Sequence, residues 1–194
     1  MKAFDGLRIK AGEHYLKKAV KQSLTKRSVK FTTFDEAINV GVLARIEDLK
    51  KLNKLKSYIR YLKENHGVRK VVLLGYHDMK KLSDGLQQPL DVHILCRKDI
   101  NWYGKPSGVD FKNFVDQEFD MLIDLTNSSC VPLNFAIAES KSRFKIGQYS
   151  IDKDHLYDFM LMVQSDRMED LIKEVDNYLA SKKSASVYKN QNLV

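Results

Sequence analysis

The side chains best suited to chemistry stand just after apolar runs. Within residues 119–149 the run MLID closes on Asp124, and Asn127, Ser128, Ser129 and Cys130 follow closely. A carboxylate so late in a buried run must be paired or hydrogen-bonded, because an isolated buried charge is costly. It serves either as the acid of a site or as the acceptor of backbone N–H groups in the turn before a helix. Ser128 and Ser129 suit a phosphate held by hydroxyls and N–H groups, and equally suit a helix cap. No GxGxxG or GxxxxGKS/T spacing accompanies them, and both motifs need those glycines for close backbone approach. A helix start lowers a thiol pKa, which makes Cys130 a candidate nucleophile, but the sequence supplies no base for it.

Two more groups join this set. His77 and Asp78 follow the run VVLLGY and form a potential acid/base pair across a site from Asp124,. Residues 101–108, NWYGKPSG, set Trp102 and Tyr103 in a segment where Gly104 and Pro106 require a turn,. Trp102 is either a plug at the core edge or a stacking platform for a base or sugar. The other histidines are scattered, His93 within an apolar run, and neither cysteine has a CxxC partner. The spacing therefore implies no metal constellation, no disulfide and no cofactor.

These residues need a scaffold, and its pattern is clear. Apolar, β-branched runs at 38–46, 68–76, 91–96, 119–125, 144–149 and 158–163 read as strands,. Helical spacing marks 47–65, 111–117, 132–141 and 168–180,. Glu47 and Asp48 are expected in a first helical turn and Gly67 just past a helix end. Runs such as VVLL and MLI lack polar alternation and so predict burial on both faces, as in a parallel sheet covered by helices. The expected fold is α/β: a three-layer, Rossmann-like sandwich on a mostly parallel sheet of five to six strands. In such sheets ligands sit beyond the carboxyl ends of the strands. That rule selects Arg45 and Glu47, then Tyr76, His77 and Asp78, then Asp124 to Cys130.

Charge divides the chain unevenly. The formal net charge is +8, yet residues 1–31 carry +7 and residues 32–181 carry −2. Residues 4–25 read as an amphipathic basic helix with Lys10, Lys17 and Lys21 on one side and Gly12 at its centre,. It either packs on the body or a sister subunit, or meets an anionic partner such as RNA or a lipid surface. The expected division is a basic helix and link over 1–31, one α/β domain over 32–181 and a flexible polar tail over 182–194. With no run of roughly 18–20 apolar residues and no signal-peptide pattern, a cytoplasmic location is expected.

The segments NWYGKP, FDMLIDL, PLNFAIAESKSRFKIGQY and EVDNYL resemble a family of uncharacterised proteins from the Bacteroidota, known as a domain of unknown function. The resemblance spans roughly the whole chain and implies no activity. FDMLIDL, the helix after it and RFKIG also resemble the acceptor half of heptosyltransferase-like glycosyltransferases. Those enzymes carry a glycine-aspartate loop after their first strand, where this chain has Glu47, Asp48 and Leu49, so that likeness implies a fold.

Two functional classes follow. One is a noncatalytic binding or interaction module that meets a second copy or a protein partner through its basic N-terminal helix and the loop at Trp102. The other is a small-molecule or nucleotide-sugar-binding domain, or a small enzyme, with a pocket near Asp124. Its ligand-binding candidates are Asp124, Asn127, Ser128, Ser129, His77, Asp78, Trp102 and Tyr103, while Lys10, Lys17 and Lys21 are the interaction candidates.

Overall fold

A computed structural model describes residues 2–25, 27–80 and 90–180. The polar segment with Gly85 and Pro89 and the tail 182–194 lie outside the described residues.

The chain runs α1 (Lys2–Leu24), β1 (Asn39–Arg45), α2 (Leu49–Asn65), β2 (Lys70–His77), β3 (Val92–Cys96), α3 (Val109–Asp116), β4 (Met121–Asp124), α4 (Val131–Glu139), β5 (Lys145–Gln148), β6 (Phe159–Leu161) and α5 (Met168–Leu179). All six strands are parallel, in the order β3-β2-β1-β4-β5-β6. Residues Val40, Gly41, Val42 and Leu43 of β1 lie opposite Val71, Val72, Leu73 and Leu74 on one side. On the other side they lie opposite Met121, Leu122, Ile123 and Asp124. The chain thus builds outward from β1 in one direction and then restarts beside it, which opens a crevice between β1 and β4 at the carboxyl edge.

Alternate residues of these strands feed two cores, as a doubly covered sheet requires. Val42, Leu73 and Ile123 face Leu55, Ile59 and Leu62 of α2 and Leu171 and Val175 of α5. Leu43, Leu74 and Leu122 face Phe111 and Phe114 of α3 and Leu133, Phe135 and Ile137 of α4. Helix α4 is apolar on nearly all sides, and residues 132–138 are all buried. A helix of that kind needs cover on both flanks, and α1 supplies the outer one, with Ala19 buried and Leu16 and Val20 packed against the same core.

Local signals explain the helix ends. Asp48 is the N-cap of α2 and accepts a 2.7 Å hydrogen bond from the Lys51 N–H. The expected first-turn acids therefore flank the helix start instead, because the capping bond requires extended backbone at Asp48,. His66 closes α2, and Gly67 follows at φ 68°, a region where a Cβ is disfavoured,. His93 sits half-buried on the edge strand β3, its Nδ1 3.2 Å from Asp110.

Candidate ligand-binding site

At the end of β4 the backbone of Leu125 donates to the Leu43 carbonyl, keeping the strand in the sheet for one more residue. Asp124 is fully buried there. Its carboxylate accepts hydrogen bonds from the Thr126 N–H (2.9 Å), the Thr126 hydroxyl (2.8 Å) and the Tyr157 hydroxyl (2.6 Å). Burial pushes its pKa up, while nearby Lys153 and these donors oppose the shift,. The arrangement turns the chain sharply, so that residues 126–129 rise over the sheet edge before α4 begins.

Tyr157 reaches Asp124 because β5 carries Gly147 beneath its ring, where a Cβ would overlap the ring carbons. Gly147→Ala is expected to cost about 1–3 kcal/mol, the range for overpacking a filled site. It should also raise the exposure of Asp124 by lifting the Tyr157 hydroxyl away. Urea unfolding checks the first effect, and the titration of Asp124 followed by carboxyl-carbon NMR checks the second.

Above this turn lies a cavity of about 860 Å³. Its floor is the loop Thr126, Asn127, Ser128 and Ser129 with Asn134 of α4, and one wall is residues 148–153 after β5. The opposite wall comes from α1, through Arg8, Ile9, Gly12, Glu13 and Leu16, and from Tyr103 and Gly104. The contact between those two segments depends on Gly12, where a Cβ would stand 2.8 Å from the Tyr103 carbonyl oxygen. Tyr15 stacks on Tyr103 with ring centroids 4.5 Å apart, and Tyr103 meets Phe135 edge-on at 6.1 Å. Asn101 holds the turn by accepting from the N–H groups of Tyr103 and Lys105. Lys105 in turn pairs with Glu139 at 2.6 Å.

The structure brings some of the selected residues together and separates others. Asn127, Ser128, Ser129 and Tyr103 line the cavity, and Asp124 supports it from below. Trp102 is 52% exposed and faces a neighbouring open depression with Tyr76, Asp78 and Arg97. Asp78 accepts from Arg97 Nε and the Tyr76 hydroxyl, both at 3.0 Å, and these hydrogen bonds hold its pKa below the ordinary carboxylate range. His77 Nδ1 lies 2.7 Å from the Ile46 carbonyl oxygen, which can only accept, so that nitrogen carries the proton,. The two side chains therefore serve different partners, His77 as the last residue of β2 and Asp78 in the loop after it. Burial pushes the Cys130 thiol up to about 11, overriding the helix N-terminus, so it stays a thiol at neutral pH,.

Sequence reasoning missed Arg8, Glu13, Asn134, Gln148 and Lys153. The mid-helix glycine at 12 was the available signal for the α1 wall, since glycine costs a helix roughly 1 kcal/mol unless close packing requires it. Asn134 sat inside an apolar helical run and gave no separate sign. Lys10, Lys17 and Lys21 are exposed on the outer side of α1. Among the described residues no group of three or more His, Cys, Asp or Glu is placed to hold a metal ion, and no helix is long and apolar enough to cross a membrane.

Residues 10–181 match the model of a family of unknown function, DUF6913. No curated protein and no solved structure matches the chain.

Proposed function

The chain belongs to DUF6913, a family of unknown function, and we propose that it is a small-molecule-binding module whose ligand occupies the cavity between α1 and the carboxyl edge of β4 and β5. The cavity itself carries this reading: about 860 Å³ lies within the roughly 300–1,000 Å³ of small-molecule sites, at the position where such sheets bind ligands,. Its lining mixes apolar surface from Ile9, Leu16, Tyr103 and Val131 with hydrogen-bonding groups of the 126–129 loop.

The reading also disfavours a dinucleotide in the usual place. In dinucleotide-binding sheets the pyrophosphate rests on the helix after the first strand. Here that helix start is filled by the Asp48 carboxylate, with Glu47 paired to Lys51 at 2.7 Å beside it. Two carboxylates would repel a phosphate there.

The test is a comparison of the full chain with Gly12→Leu after equilibration with a cellular metabolite extract, the retained compounds being released and identified by mass spectrometry. The added side chain gains some helix propensity but meets a backbone oxygen, which cannot swing aside, so α1 must shift and the wall opens,. At least one compound should be retained by the wild type and weakened about tenfold or more in the variant, a loss of about 1.4 kcal/mol. Equal retention by both, or none by the wild type, sinks the reading.

A second reading rests on the exposed lysines of α1. They would give the same protein a weak, salt-sensitive attraction to RNA or an anionic lipid surface. Binding that is absent at low salt removes it.

A further inference from the structure

We propose that the ligand of this cavity is a phosphorylated polyhydroxy compound of the sugar-monophosphate class, its phosphoryl group over the start of α4 and one hydroxyl donated to Asn134. The inference rests on the small-molecule reading above.

The first support is the start of α4, a nine-residue helix. Its N-cap, Cys130, offers the first turn only a thiol sulfur, a weak acceptor, near the Leu133 N–H,. Among the described residues, the N–H groups of Ser128 and Ser129 have no protein acceptor. These N–H groups lie in the loop just before the helix, whose own first turn includes Pro132 and its missing N–H; free N–H groups next to a helix start attract anions,. Lys153 brings its ammonium group to 3.5 Å from the Ser128 carbonyl. Arg45, at the end of β1, is paired with Asp78 at 4.0 Å, so Lys153 is the cation that meets this helix start.

The second support is independent. Asn134 projects into the cavity from α4, is 7% exposed, and its Oδ1 is buried with no hydrogen-bond partner. An unpaired buried acceptor costs roughly 1–3 kcal/mol, and native proteins rarely leave one without use. Whichever way the amide is turned, one of its ends is left wanting a partner. A phosphate dianion offers no proton to an acceptor, so the group that meets Oδ1 is a hydroxyl or N–H of the same ligand, beyond the phosphoryl group.

The remaining lining narrows the class. Glu13, Asp152 and Asp166 also line the cavity, Asp166 on the side of Asn127, whose amide donates to its carbonyl. Carboxylates accept hydroxyl protons well, but they repel a second phosphate, by about 1 kcal/mol in water and about 4 kcal/mol at a partly desolvated surface for charges 4 Å apart. That disfavours di- and triphosphates and favours a monophosphate with several hydroxyls. The apolar side chains of Ile9, Leu16 and Val131 suit the C–H face of a sugar ring.

The test titrates the full chain with glucose 6-phosphate, ribose 5-phosphate, the two free sugars, inorganic phosphate and ATP, using ligand-observed NMR and thermal shift. At least one sugar phosphate should bind about tenfold or more tightly than its free sugar, than phosphate and than ATP. Lys153→Met should weaken the sugar phosphate about tenfold and leave the free sugar unchanged. Asn134→Leu should weaken both while raising Tm, since it removes an unsatisfied acceptor; a purely structural asparagine would lower Tm and leave affinity alone. Free sugar or ATP binding as tightly as the sugar phosphate, indifference to both substitutions, or no binding by any sugar phosphate overturns the assigned class. Those outcomes leave the small-molecule reading to the metabolite comparison, which fails separately if Gly12→Leu retains the same compounds as the wild type.

Discussion

Asp158→Ala is expected to destabilise the protein by about 3–5 kcal/mol, the cost of leaving one partner of a buried ion pair alone. Arg27, just after α1, forms a two-pronged pair with Asp158: its terminal nitrogens lie 2.7 and 2.5 Å from the two carboxylate oxygens. The side chains are only 5% and 12% exposed. Asp158 also accepts the backbone N–H of Lys145 at 2.9 Å, which ties β5 to the start of β6. Without the carboxylate the guanidinium keeps one carbonyl, that of Ser142, at 3.2 Å, and its Nε is already unpartnered. The loss should appear in urea unfolding as a lower midpoint with an unchanged slope. Arg27→Met in the same chain should restore much of it, because the stranded charge is then gone. A loss below about 1 kcal/mol would show that the pair is solvated like a surface bridge.

Lys145 gives the second large effect, through pH. Its side chain points from β5 into the packing beneath α1, is 2% exposed, and donates to the Ser23 hydroxyl at 3.1 Å. Burial, reinforced by the neighbouring Arg27 charge, lowers its pKa to about 7, with Asp158 acting in the opposite sense. The unfolded chain holds this proton up to the ordinary lysine range, so between pH 7 and that range it binds more protons than the folded chain. Stability therefore rises with pH across that window and is level below it. From this group alone the gain between pH 7 and 9.5 is about 3 kcal/mol. Other groups titrate in the same interval, so the measurement is the difference between wild type and Lys145→Met at each pH. Methionine should be the more stable at pH 7, with the gap closing toward pH 9.5. A constant gap would mean that Lys145 is solvated in the folded state.

Both effects concern the seam between α1 and the sheet, where the sequence was least legible. The large apolar residues that mark a helical stripe, Leu7, Tyr15 and Leu24, are exposed. The face that docks combines Leu16 with Gly12, Ala19 and Ser23, small residues that let two helices approach closely. A pattern of large apolar side chains cannot reveal such a face, because what it buries is mainly backbone and the partner's side chains. The +7 of residues 1–31 leaves open whether the helix packs on the body or meets a partner, and α1 covers α4 and builds one wall of the cavity.

The candidate site was legible in part for a related reason. The carboxyl-edge rule needs only strand order along the chain, so it reached Asp124 and the loop 127–129. It could not weigh burial, which makes Asp124 the support of the turn rather than part of the cavity lining. Nor could it foresee that Trp102 and Tyr103, adjacent in sequence, face different depressions.

The chain by itself determined the alternation of strand and helix, the doubly covered sheet and the edge where a ligand would sit. These follow from side-chain periodicity and from the need to satisfy backbone groups, which are local properties. Only the tertiary structure decided that α1 closes a cavity, that Lys145 is buried beside Arg27, and that Asn134 waits for a partner. Each depends on residues far apart in the chain meeting at one place, and no local pattern records such a meeting.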